Sequence, residues 1–98
     1  MAKVSFNQAE GLLCAYLSGE IDHHSAQELR ERIDARLLNM MPSQLILDFA
    51  GVTFMDSSGL GLILGRMRKM QGTGGQLAVQ HPPQQIQKVL ELAGVAYR

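Results

Sequence analysis

Two short polar stretches hold the side chains most capable of chemistry: Asp22-His-His-Ser25 and Asp56-Ser-Ser58. The second follows an apolar run and opens a helical pattern. Asp and Ser at a helix start accept hydrogen bonds from first-turn N–H groups that have no partner inside the helix. The same N–H groups, with the helix dipole, favour negative charge there. A serine at that point is exposed, fixed in direction and placed where an added phosphate is tolerated. Ser57 is therefore a candidate for regulatory phosphorylation. Asp56 and Ser57 equally read as an ordinary cap, and the local pattern leaves both readings open.

Enzymatic readings fit less well. A nucleophile elbow requires Gly-x-Ser-x-Gly, but Met55 stands two before Ser57 and Asp56 two before Ser58. Gly59, Gly61 and Gly65 are spaced one residue too widely for a dinucleotide fingerprint and lie within a helical pattern. They favour close packing or close approach by a partner, at some cost in helix propensity. There is no Gly-Lys-Ser/Thr phosphate loop. Asp22-His23-His24 invites a metal reading. Adjacent histidines in one regular element point in different directions, however, and His81 is distant in sequence. An Asp-His-His triplet also marks a phosphoesterase family whose members need several further aspartates; this chain has only Asp34, Asp48 and Asp56 besides Asp22. A polar loop capping the first helix fits better, with an interaction surface still open. No metal or cofactor is expected.

The elements that must position these residues follow from patterning. Lys3 to Asn7 alternates, with Val4 and Phe6 on one face, and Gln8 to Gly11 turns back. Leu12 to Ser18 reads as a more buried strand paired antiparallel with the first. Gly19 to Ser25 is a loop, and Ser25 with Glu28 fits a capping box. Ala26, Leu29, Ile33 and Leu37 then recur at helical spacing, ending near Asn39. Gln44 to Phe49 is a third strand whose Leu45-Ile-Leu47 run suggests cover on both faces. The chain turns through Gly51 to Met55, and a second helix runs from about Ser58 to Met70. Its inner stripe is Leu60, Leu64 and Met67, widened by Leu62 and Ile63.

Gly72 to Gly75 ends that helix, and Gln76 to Gln80 is a short strand. Pro82 and Pro83 open a third helix with Ile86, Val89, Leu90 and Ala93 inward. Gly94 stops it, and Val95 to Tyr97 forms a last strand. Helices between successive strands imply right-handed crossovers and a largely parallel sheet, an α/β fold. There is no repeat, linker or low-complexity segment.

Length and composition set the outer bounds. The 98 residues suit one domain, 46% hydrophobic and 18% charged, with nine basic against nine acidic residues. A net charge of zero argues against electrostatic binding to nucleic acid or anionic membrane. Cys14, the single cysteine, cannot form an internal disulfide and reads as a small buried filler. No leading segment resembles a signal peptide and no apolar run approaches membrane-spanning length, which points to the cytoplasm. Met40, Met41, Met55, Met67 and Met70 suit either core filling or adaptable partner contacts.

Leu17-Ser-Gly-Glu-Ile-Asp-His-His-Ser-Ala26 and Phe54-Met-Asp-Ser-Ser-Gly-Leu-Gly-Leu-Ile-Leu-Gly-Arg66 resemble the two signature stretches of the anti-sigma factor antagonists, most of all the sporulation type that regulates sigma factor F. The likeness covers nearly the whole chain. It implies the STAS fold, a small mixed sheet of four to five strands with helices packed mainly on one side, here one domain over residues 1–98. Family members usually continue past the position of Arg98 with a further strand segment and a closing helix.

The resemblance implies that Ser57 is phosphorylated by an anti-sigma factor, a serine kinase with bound ATP or ADP, and reset by a serine phosphatase. It places Asp22, with His23 and His24, beside Asp56, Ser58, Gly59, Leu60 and Gly61 as the kinase-binding face. The protein would then be a monomer or weak dimer, an interaction partner without catalysis of its own. A STAS protein of a stress-response pathway and a small nucleotide-binding domain are the alternatives.

Overall fold

The computed structural model describes residues 1–98. Eight elements follow in order: β1 (Ala2–Ala9), β2 (Leu12–Ile21), α1 (His23–Met40), β3 (Gln44–Met55), α2 (Ser57–Gly72), β4 (Gln76–Gln80), α3 (Gln84–Ala93) and β5 (Ala96–Tyr97). The five strands form one sheet in the order β1-β2-β3-β4-β5. β1 and β2 run antiparallel, and each later neighbour is parallel. Three successive right-handed crossovers in one direction along a sheet leave all their helices on one face.

Burial follows that one-sidedness. Val4, Leu13, Ala15, Leu17, Leu45, Leu47, Phe49 and Val79 point to the helices and join Leu29, Ile33, Leu62, Ile63, Met70 and Leu90 in a single core. Alternate residues Cys14, Ile46 and Asp48 are also buried but lie outside that core. Cys14 and Ile46 line a shallow hollow on the opposite face with Tyr16, Asn7 and Gln80. The expected cover on both faces of Leu45-Ile-Leu47 is found, since all three are buried, but the helices supply it on one face only. A central strand in a small sheet can be buried on its open face by neighbouring side chains alone, and that yields the same apolar run.

β3 also runs beyond Phe49, through the segment expected to turn, as far as Met55. Gly51 makes this possible: a Cβ there would come within 2.9 Å of Ser18 Cβ. β2 correspondingly runs past Ser18 to Ile21, with register shifts near Ser18 and Glu20, so that Ile21 pairs with Met55. The two strands thus end level with each other, and each leads within one residue into a helix.

The helical stripe of α2 is rotated from the one expected. Gly59, Leu62, Ile63, Arg66 and Met70 are buried, whereas Leu60, Leu64 and Met67 only flank the core. An arginine inside a buried stripe needs a partner. Arg66 Nε lies 2.9 Å from Asp34 Oδ1 on α1, and Lys69 Nζ lies 3.9 Å from the other oxygen. In α3, Leu90 is buried and Ile86 packs on the core, while Val89 is 38% exposed and Ala93 is also exposed. Met55 and Met70 are buried, Met40 and Met67 pack against the core, and Met41 is 69% exposed.

Candidate functional site

The parallel strands β2 and β3 end side by side, so the starts of α1 and α2 lie at the same sheet edge. The Asp56 N–H donates to the Ile21 carbonyl at 3.1 Å, fastening the entry to α2 onto the last residue of β2. Asp22 follows Ile21 directly. Both signature stretches therefore converge on one corner.

Asp22, not Ser25, is the N-cap of α1. Its carboxylate accepts from the Ser25 N–H at 2.8 Å, and the Ser25 hydroxyl accepts from the Asp22 N–H at 3.0 Å. The box expected between Ser25 and Glu28 is shifted back by three residues. Serine can serve as cap or as third helical residue, and the upstream aspartate takes the cap. The Ser25 amide, then its hydroxyl, hold the Asp22 carboxyl below its ordinary pKa. His23 and His24 are exposed residues of the first helical turn rather than loop residues. His24 Nε2 stands 3.9 Å from Glu28 Oε1 across that turn.

Asp56 caps α2 by accepting from the Ser58 N–H at 2.8 Å. Ser57 is the first helical residue and is exposed; Ser58 is half-buried. Aspartate, not serine, takes the cap, which leaves the Ser57 hydroxyl outside the capping bond. Leu60 is half-buried and Gly61 exposed, both available at the surface. Gly59 is not: it is buried, and a Cβ there would collide with the Met55 side chain. Of the three glycines expected to permit close packing or close approach by a partner, Gly59 serves packing, whereas a Cβ on Gly61 or Gly65 would meet nothing within 4 Å.

Sequence reasoning missed Arg66 and Asp34. Arg66 falls three residues after Ile63 and four before Met70, a spacing that placed it on the buried face had the stripe been drawn from Gly59.

The corner contains the exposed Ser57 and half-buried Ser58, two carboxylates held as caps and two exposed histidines. No acid–base pair is aligned on the Ser57 hydroxyl, and His/Cys/Asp/Glu side chains nowhere gather in a metal-ligating group of three or more. No helix is long and apolar enough to cross a membrane.

Comparison with known proteins extends these observations. A family model described as the STAS domain matches residues 3–97. An anti-sigma F factor antagonist of Lysinibacillus sphaericus is 37% identical over 79 residues, covering 81% of this chain and 68% of that one. The solved structure of the anti-sigma factor antagonist SpoIIAA in its unphosphorylated form superposes with a TM-score of 0.84. It is 29% identical and covers 98% of this chain and 87% of its own. SpoIIAA from Bacillus in the phosphorylated form gives a TM-score of 0.80 at 30% identity, over 95% and 85% of the two chains.

Proposed function

This chain belongs to the STAS domain family, and from that premise we propose that it is an anti-sigma factor antagonist switched by phosphorylation of Ser57. Unphosphorylated, it binds an anti-sigma factor that is also a serine kinase, and this binding frees the sigma factor. The kinase then transfers phosphate from ATP to Ser57 and the complex separates; a serine phosphatase resets the switch. The chain is a kinase substrate and has no catalytic step of its own. Its similarity to an anti-sigma F factor antagonist favours the sporulation pathway, and the work is cytoplasmic.

The observation that carries the reading is the position of Ser57. It is the exposed first residue of α2, beside a carboxylate cap and next to the start of α1. The docking face comprises Asp22, His23, His24, Asp56, Ser58, Leu60 and Gly61, with Gly59 beneath it as packing. Phosphorylation adds about −1.5 to −2 charges at neutral pH. In the free protein that charge sits at a helix N-terminus, where it is favoured, so the fold persists. The close match of this chain to both the unphosphorylated and phosphorylated SpoIIAA folds is in keeping with that. In a docked interface the same charge must be desolvated close to Asp56. A penalty of ~3 kcal/mol weakens binding about a hundredfold.

Intact mass after incubation with the candidate anti-sigma kinase and ATP tests the assignment. One added phosphate mapping to Ser57, and none in Ser57→Ala, is the expected result. In a binding assay Ser57→Ala should hold the kinase persistently, and Ser57→Asp should bind it roughly a hundredfold more weakly. Equal affinities of the two variants would sink the charge account.

A further inference from the structure

Phe54 differs from the other phenylalanines in having no cover. Phe49 is buried in the core, and Phe6 lies under the Arg36 guanidinium, 4.4 Å from its ring centroid. Phe54 is 56% exposed, more than any other aromatic side chain here. The reason lies in the sheet. β4 pairs with β3 only as far as Asp48, opposite Gln80, whereas β3 continues to Met55. From Phe49 onward it has only β2 beside it. The register pairs Ile21 with Met55, both in the core, so the preceding pair, Glu20 and Phe54, faces the side of the sheet without helices. Glu20 is itself exposed and engages the Met1 amine at 3.5 Å, and so offers the ring little apolar cover.

A single apolar side chain in water is common on protein surfaces; the place of this one distinguishes it. Phe54 precedes Ser57 by three residues, on the strand that leads into α2. The face around Ser57 is otherwise polar, with Asp22, His23, His24, Asp56 and Ser58, and its other apolar side chain, Leu60, is half-buried. Such groups orient a partner but bury little apolar area. Interfaces draw most of their affinity from a few anchors, often aromatic, seated in pockets and ringed by polar groups. The strand segment is also unguarded. Ala50-Gly-Val-Thr-Phe54 carries no charge and no proline, the usual defences of a strand edge that lacks a neighbour. A protein that closes over Ser57 comes against this edge as well.

We propose that Phe54 is the apolar anchor of the Ser57 docking face, seated in a hydrophobic pocket of the anti-sigma kinase while the polar residues hold the serine in place. This rests on the function proposed above and adds to it the residue that supplies affinity. The ring has no part in phosphoryl transfer, so its loss raises KM and leaves kcat unaltered.

Steady-state phosphorylation of the full chain by the anti-sigma kinase, with chemical denaturation of each variant alongside, tests the anchor. Phe54→Ala should raise KM at least about tenfold, with kcat and the unfolding midpoint unchanged. Phe54→Leu, which keeps most of the apolar volume, should recover most of the loss. Leu38→Ala, a change at the far end of α1 where the side chain is 79% exposed, should behave as wild type. Equal KM in Phe54→Ala and wild type, with Ser57 phosphorylated in both, overturns the anchor and leaves the switch standing. A fall in kcat at constant KM overturns it too. Self-association of the wild type that Phe54→Ala abolishes, at unchanged KM, assigns the ring to a second copy of this chain and overturns the proposal. Wild type left unphosphorylated at Ser57 overturns the switch and the anchor together.

Discussion

The starts of α1 and α2 are written in nearly the same residues, Asp-His-His-Ser and Asp-Ser-Ser-Gly, yet they are closed differently. In α1 the third helical residue is Ser25, whose hydroxyl returns the hydrogen bond of the Asp22 cap. In α2 that position is Gly59, which has nothing to return and lies buried where a Cβ would strike Met55. The first start is reciprocally locked, and the second is capped from one side only. The Asp56 N–H, which a returning side chain would take, donates instead to the Ile21 carbonyl of the neighbouring strand. The difference separates a helix start closed on itself from one fastened to the adjacent strand.

Giving α2 the residue that α1 has at this position is the most forceful way to break the comparison. Gly59→Ser should destabilise the protein by about 2–3 kcal/mol, since its Cβ overpacks Met55 before any capping bond can form. Chemical denaturation would read this, and a neutral or stabilising result would show that the corner is loose. Asp56→Ala removes the single cap of α2 and should cost about 1 kcal/mol in the same assay.

Smaller still is the effect of charge at the site itself. Ser57→Asp should change stability by only about 0.3–1 kcal/mol, in the stabilising direction, even as it weakens partner binding. A large loss of stability in that variant would mean the phosphate acts by disrupting the fold. The α1 lock has a pH signature. Ser25 holds the Asp22 carboxyl below its ordinary pKa, so folding favours the ionised form. That contribution is present above the unfolded carboxylate value, near about 4, and is lost as pH falls through the folded one. The stability gap between wild type and Asp22→Asn should therefore narrow from neutral pH to about pH 3. A constant gap would show that the charge of Asp22 contributes nothing.

Much of this molecule was legible in its residues. The order of strands and helices, the start of α2 at Asp56-Ser-Ser and the bounds of β4 follow from local patterns, because capping chemistry and apolar periodicity act over a few neighbours. The cap of α1 was misplaced because Ser25-x-x-Glu28 and Asp22-x-x-Ser25 both satisfy the local rule. Only the pairing of Ile21 with Met55 sets where the strand stops and the helix begins. The extension of β3 was missed for a similar reason. Gly51 signals a turn locally, yet here it serves the close approach of β2.

By itself the sequence determined the element order, the capping residues available at each helix start and the presence of a serine behind Asp56. These are properties of a residue and its near neighbours in the chain. The tertiary structure alone decided that the two polar stretches share one corner and that Gly59 is closed to a side chain. It also turned Arg66 inward to Asp34 and left Phe54 in solvent where β3 outruns β4. Each of those depends on which strands lie side by side and how two helices cross the sheet, and no local pattern encodes distances between residues that many positions separate.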